Sequence, residues 1–184
     1  MKKMFNLMLL VVALVGANSA FAVPVLGEKL YYSGGNVTVE VLSPTAAYTS
    51  TLSLYLFASP GSNVASFGTN HQVGLTTVVD PSTLCYTPGE ELIFGIYVQD
   101  TGDTFYMGEG SRNADGIIHA AVDNLGSNTY YVGFEDLLGG GDRDYDDHRF
   151  NFSGGLTTAV PAPAAMMIFG LGLIGLGYSR KQRA

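Results

Sequence analysis

Between residues 36 and 153 the chain is dominated by a period of two. In "NVTVEVL", residues 36–42, Val37, Val39 and Val41 alternate with Thr38, Glu40 and Leu42. In "YTSTLSLYLFA", residues 48–58, Leu52, Leu54 and Leu56 alternate with Ser53, Tyr55 and Phe57. Successive side chains of a strand leave opposite faces, so this spacing predicts half-buried strands. Further β-rich runs cover 71–79, 91–100, 105–109, 117–124, 129–136 and 147–153. The most apolar of them, "ELIFGIYVQD" at 91–100, is expected at the centre of a sheet. Turn chemistry separates the runs at Ser59–Asn63, Asp80-Pro81, Thr101–Thr104 and Gly126–Asn128. No segment holds a helical period. Strands recurring at intervals of about 8–15 residues predict an all-β fold, an antiparallel β-sandwich of jelly-roll type with about eight to nine strands.

The two ends break this pattern. Lys2 and Lys3 precede an apolar run from Phe5 to Val15, and Ala20-Phe21-Ala22 follows as a small-x-small cleavage site. That order is a secretory signal peptide over 1–22, removed after Ala22. It leaves 23–158 as one domain and 159–184 as a C-terminal segment. The segment contains Val160-Pro161-Ala162-Pro163, an apolar run from Ala164 to Tyr178, and the basic Arg180, Lys181 and Arg183. As a helix the run reaches about 22 Å at about 1.5 Å per residue, and flanking residues must supply the rest of a membrane crossing. The basic tail stays on the cytoplasmic side. Gly155–Thr158 and the proline motif are expected to link domain and anchor.

This tripartite end resembles the PEP-CTERM sorting signal of Gram-negative bacteria, in a VPxP form with Ala162 where Glu is usual. The resemblance implies an exosortase-type processing enzyme as partner. It also implies a precursor anchored in the inner membrane, with a final location at the cell surface or in the extracellular polysaccharide matrix.

Charge narrows the function further. The expected domain holds all sixteen acidic residues of the chain and only four basic ones, Lys29, Arg112, Arg143 and Arg149, a net charge of −12. Such a surface repels nucleic acid and attracts cations. With a single cysteine, Cys85, the domain has no internal disulfide, and that thiol is expected to pack as a small buried hydrophobe. The three histidines, His71, His119 and His148, do not fall at zinc-ligand spacing. There is no GxSxG and no Walker lysine, so neither a serine hydrolase nor a phosphate loop is expected, and the protein is read as a non-enzyme.

One stretch carries candidate chemistry, "GFEDLLGGGDRDYDDHRFNF" at 133–152. Glu135, Asp136, Asp142, Asp144, Asp146 and Asp147 crowd around Gly139–Gly141. On a flat strand, Asp142, Asp144 and Asp146 would stand about 6.6 Å apart, too far to share one ion. A curl at the glycines would bring them together, and calcium is the hard cation that accepts six to eight such oxygens. The six carboxylates are therefore a candidate calcium site, against the alternative of a solvated acidic turn. It is not an EF-hand, because Asp147 and Ser153 stand where glycine and glutamate would be needed. Tyrosines such as Tyr31-Tyr32 and Tyr130-Tyr131 offer strand packing or, alternatively, a carbohydrate-binding surface for matrix polysaccharide.

With the upstream "FGIYVQDTGDTFYMGEGSRNADGIIHAAV" at 94–122, the stretch also resembles the domain of unknown function 4114 family, whose members close a β-rich domain with a "FED … GGDxDYND" signature. Phe134-Glu135-Asp136 and Gly140 to Asp147 carry the match, with Asp146 where Asn is common. The resemblance implies a secreted or surface domain and no established activity.

Overall fold

The computed structural model describes residues 24–56 and 61–158. The signal peptide, the tip of the expected turn at Ser59 and the C-terminal motif lie outside the described residues. Ten antiparallel strands make up the domain: β1 (Val25–Leu26), β2 (Leu30–Val41), β3 (Ser50–Tyr55), β4 (Asn63–Thr69), β5 (Thr76–Val79), β6 (Glu91–Val98), β7 (Thr104–Tyr106), β8 (Ala120–Gly126), β9 (Thr129–Phe134) and β10 (His148–Thr157). Among the described residues the only helical elements are two single 3-10 turns, Pro81–Leu84 and Gly110–Arg112.

The strands form one hydrogen-bonded sheet folded into two layers. One layer runs β1-β8-β9-β10-β2, with β5 beside the C-terminal half of β2. The other runs β4-β3-β6, with β7 beside β6. The layers join where Leu30 and Tyr31 pair with Leu92 and Glu91 of β6, while Val37–Glu40 pair with β5. Strand β2 thus changes sheets along its length. Its buried positions show the switch, since Leu30 and Tyr32 are in phase and Val37, Val39 and Val41 resume one residue out of step. The slip sits at Gly34 and Gly35, both at positive φ, opposite a register shift between Gly154 and Leu156 in β10. Bulged glycine corners are how strands turn between packed sheets.

Phe94 of β6 meets Phe152 of β10 across the layers, ring centroids 4.5 Å apart, and Phe67 and Phe150 extend the aromatic stack on either side. Leu52, Leu54, Leu92, Ile96, Val37, Val39 and Val132 close around them without exposure. Each such side chain contributes about 1.5–3 kcal/mol when fully buried.

The expected all-β, two-layer architecture is the one found, with ten strands because the two-residue β1 is too short to show a period and β4 lacks one. Three local expectations change. His71–Gly74 is a turn, and the strand before it, β4, was not anticipated. Gly155–Thr157 is not a linker: Leu156 is fully buried and pairs with Tyr32, so β10 continues through it. Cys85 is exposed and sits at φ 70 as the left-handed cap of the first 3-10 turn.

Candidate functional site

Strands β9 and β10 are joined by the closing loop 135–147, and the ladder continues past β9 into it. Glu135 N donates to His119 O at 2.9 Å, and His119 Nδ1 lies 3.1 Å from Glu135 O. This pairing pins Glu135 at the sheet end, where the loop then covers it. Its side chain is completely buried. Tyr145 N donates to its Oε1 at 2.6 Å, while Oε2 has no hydrogen-bond partner. Gly141, at φ +45, lies directly over Oε2, and a Cβ there would collide with it. A glycine is required for the chain to approach this closely.

Asp142 and Asp144, both exposed, bring carboxylate oxygens to the same place. One oxygen from each of Glu135, Asp142 and Asp144 lies within 4.8 Å of the others. Two oxygens bound to one calcium at about 2.3–2.6 Å stand no more than about 5.2 Å apart, so the three can share an ion. The charges are felt locally. Burial pushes the Glu135 carboxyl up, the Tyr145 N–H opposes this, and the negative charges of Asp147, Asp142 and Asp144 add to the rise. Asp144 is raised by burial and by Asp146 and Asp142.

The other three acidic residues of the stretch are engaged elsewhere. Asp136 is buried, its Oδ2 2.9 Å from Nε2 of the buried His148. Asp147 Oδ2 accepts from Asp136 N at 3.2 Å, and burial raises its carboxyl. Asp146 accepts from the Thr45 hydroxyl and ties the loop to the segment after β2. The curl expected from sequence therefore gathers three of the six carboxylates and spends the rest on holding the loop.

Asp115 was not anticipated. Its Oδ2 lies 2.9 Å from His119 Nε2 and accepts from Gly139 N at 2.8 Å, while Oδ1 accepts from Ile117 N at 3.0 Å. Burial acts upward on this carboxyl, but the Gly139 N–H, His119 and the Ile117 N–H together bring it down to about 2. His119 is stacked on Phe105, ring centroids 3.9 Å apart. Asp115 and His119 thus anchor the glycine run of the closing loop to the core. Only an acid four residues before a histidine hints at this in the sequence, and that spacing signals a pair on a helix, not in the loop found here.

Of the tyrosines, Tyr32, Tyr55, Tyr86, Tyr106 and Tyr130 are buried in packing, and Tyr86 OH donates to Tyr55 O at 2.7 Å. They form no exposed platform.

Residues 159–181 match the family of the PEP-CTERM protein-sorting motif. The motif marks an exported protein that is processed by an exosortase and attached at the cell surface. No curated protein matches the chain. Among solved structures the chain is similar to the C-terminal domain of BC2L-C lectin from Burkholderia cenocepacia, at 18% identity and a TM-score of 0.41, over 73% of this chain and 100% of that one. The comparisons do not show the resemblance to the domain of unknown function 4114 family, which is read from residues 94–122 and 133–152. What the comparisons show of this chain is its sorting motif: it ends in a PEP-CTERM signal.

Proposed function

We propose that the chain is a structural or adhesive, non-enzymatic protein of a Gram-negative cell surface or extracellular matrix, and that its closing loop is set by a bound calcium ion. Glu135, Asp142 and Asp144 would hold the ion. The observation that carries this reading is the buried Glu135 carboxylate: its Oε2 has no hydrogen-bond partner, and one of its oxygens lies within 4.8 Å of an oxygen each of Asp142 and Asp144. An orphaned buried acceptor costs about 1–3 kcal/mol, more when charged. Three converging carboxylates without a counter-charge raise that cost, and a divalent cation removes both terms. Calcium suits the all-oxygen donor set and the compartment, since extracellular modules bind it at about 10⁻⁴–10⁻³ M. The metal would supply cross-linking of the loop to the sheet end and no reaction. Matrix polysaccharide is the polymer that a protein at this location meets.

The test is a pair of thermal melts of the full-length chain, in millimolar calcium and in chelator, repeated with Asp144→Asn. The reading requires a higher Tm in calcium that Asp144→Asn abolishes. Equal melts in calcium and chelator would leave the loop a solvated acidic turn and refute it.

A further inference from the structure

A second feature stands beside the acidic triad, on the outer face of the β1-β8-β9-β10 layer. Ala121 and Gly133 pair across β8 and β9, so the outer surface carries two very small residues side by side. The closing loop folds back here, with Tyr145 O so close over Gly133 that a Cβ would collide with it, and the Tyr131 ring 3.4 Å from the same point. The result is a half-open cleft of about 440 Å³ lined by Pro24, Leu26, Ala121, Tyr131, Arg143, Asp144 and Tyr145. Its size falls within the range of about 300–1,000 Å³ typical of small-molecule sites.

Three details set it apart from an incidental dent. First, Arg143 and Tyr145 both hold left-handed backbone, at φ 65 and φ 56. That conformation costs a residue with a Cβ about 1–2 kcal/mol, and such strain concentrates at binding sites. Second, the basic side chains of the domain are otherwise committed. Lys29 pairs with Glu109 at 2.5 Å, Arg112 holds Glu91 through two hydrogen bonds, and Arg149 donates to Ser43 O. Of the four Lys and Arg side chains among the described residues, Arg143 alone has no hydrogen-bond or ion-pair partner, and it lines the cleft. Third, the lining combines two half-buried tyrosines and an exposed Leu26 with a guanidinium and a carboxylate.

From these features we infer that the cleft binds a single saccharide unit of a surface or matrix glycan. A sugar ring has an apolar C–H face and a rim of hydroxyls that both donate and accept. Tyrosine rings take the first, and Arg143 as donor with Asp144 as acceptor takes the second. A nucleotide or a free phosphate does not fit, because the acidic triad adjoins the cleft. This goes beyond the cation reading and needs only the surface destination that the sorting motif marks.

The experiment uses the full-length chain in a non-glycoside detergent with saturation-transfer NMR. The probes are glucose, galactose, mannose, fucose, N-acetylglucosamine and glucuronic acid at millimolar concentration. At least one sugar should receive saturation, most strongly at its ring C–H protons. Tyr145→Ala should abolish the transfer. Arg143→Asn, which keeps a residue tolerant of left-handed backbone, should weaken it at least tenfold with an unchanged melting curve. Arg143→Asn, which lies outside the triad, should keep the calcium-dependent rise in Tm, so the two readings fail separately. Absence of transfer from every sugar, or transfer untouched by Arg143→Asn, would overturn the assignment.

Discussion

Replacing Glu135 by glutamine isolates the cost of the buried charge. The side chain keeps its length, and its remaining oxygen still accepts from Tyr145 N, while the new amide can donate toward Asp142 and Asp144. Two unit charges 4.8 Å apart repel by about 3.5 kcal/mol at an effective dielectric constant of about 20, and by about 1 kcal/mol in water. Because both aspartates are exposed, the relief belongs near the lower figure for each pair, and the orphaned oxygen adds about 1–3 kcal/mol. In chelator at neutral pH, Glu135→Gln should therefore be more stable than the parent by about 3–5 kcal/mol. At about 3–5 °C per kcal/mol for a domain of this size, that is a rise of about 9–25 °C in Tm.

Calcium should narrow the gap between the two. Ten millimolar is about 10 to 100 times the Kd of an extracellular module and stabilises the parent by about 1.4–2.7 kcal/mol, whereas the variant gains nothing. The pH dependence has a definite sign. A folded carboxyl raised above its ordinary 4.5 keeps a proton that the unfolded chain has lost, so stability falls as pH rises from there through the folded pKa. The parent in chelator should lose Tm between mildly acidic and neutral pH, and Glu135→Gln should lose less, since only the raised Asp144 and Asp147 carboxyls remain. Differential scanning calorimetry at several pH values, with calcium and with chelator, reads all of this. A variant less stable than the parent in chelator would refute the reasoning, because it would mean that the ionised carboxylate is already compensated within the protein.

Other substitutions probe the frame around the site. Asp115→Ala removes acceptors for Gly139 N, Ile117 N and His119, and should cost about 2–4 kcal/mol by denaturant unfolding. Since the Asp115 carboxyl lies at about 2, the parent should keep this contribution above pH 3.8 and lose it as pH falls toward 2. Gly133→Ala drives a methyl into Tyr145 O and should cost about 1–3 kcal/mol while weakening calcium binding, measured by melts with and without the ion. Phe94→Ala opens the centre of the sandwich and should cost about 3–5 kcal/mol without changing the calcium increment. Truncation before Ala159 should free the protein from the cell surface, as judged by fractionation and immunoblot.

How far the fold could be anticipated follows from where the period of two is clean. Strand β6 alternates little but is apolar enough to be placed at a sheet centre, and it pairs with β3, β7 and β2. Strand β4 carries one fully buried residue, Phe67, among half-exposed small and polar ones, and register shifts interrupt its pairing with β3, so no period survives. The glycine pair before Leu156 suggests a linker because glycine marks both linkers and bulges, and only the partner strand distinguishes them. At the site, the spacing of Asp142 and Asp144 was informative, since the glycine curl does gather them. The burial of Glu135 was not, because it comes from the non-local pairing with His119 and from Gly141 lying above it. Asp136 and Asp146 look equivalent to the triad in the sequence, yet His148 and Thr45, both distant in the chain from their partners or set by register, claim them.

The most direct measurement is calorimetric titration of calcium into the full-length chain, stripped of metal, beside Glu135→Gln and Asp142→Asn. The account predicts one ion per chain with a Kd of about 10⁻⁴–10⁻³ M in the parent and no binding in either variant. Absence of heat in the parent, or binding that both variants retain, would contradict it.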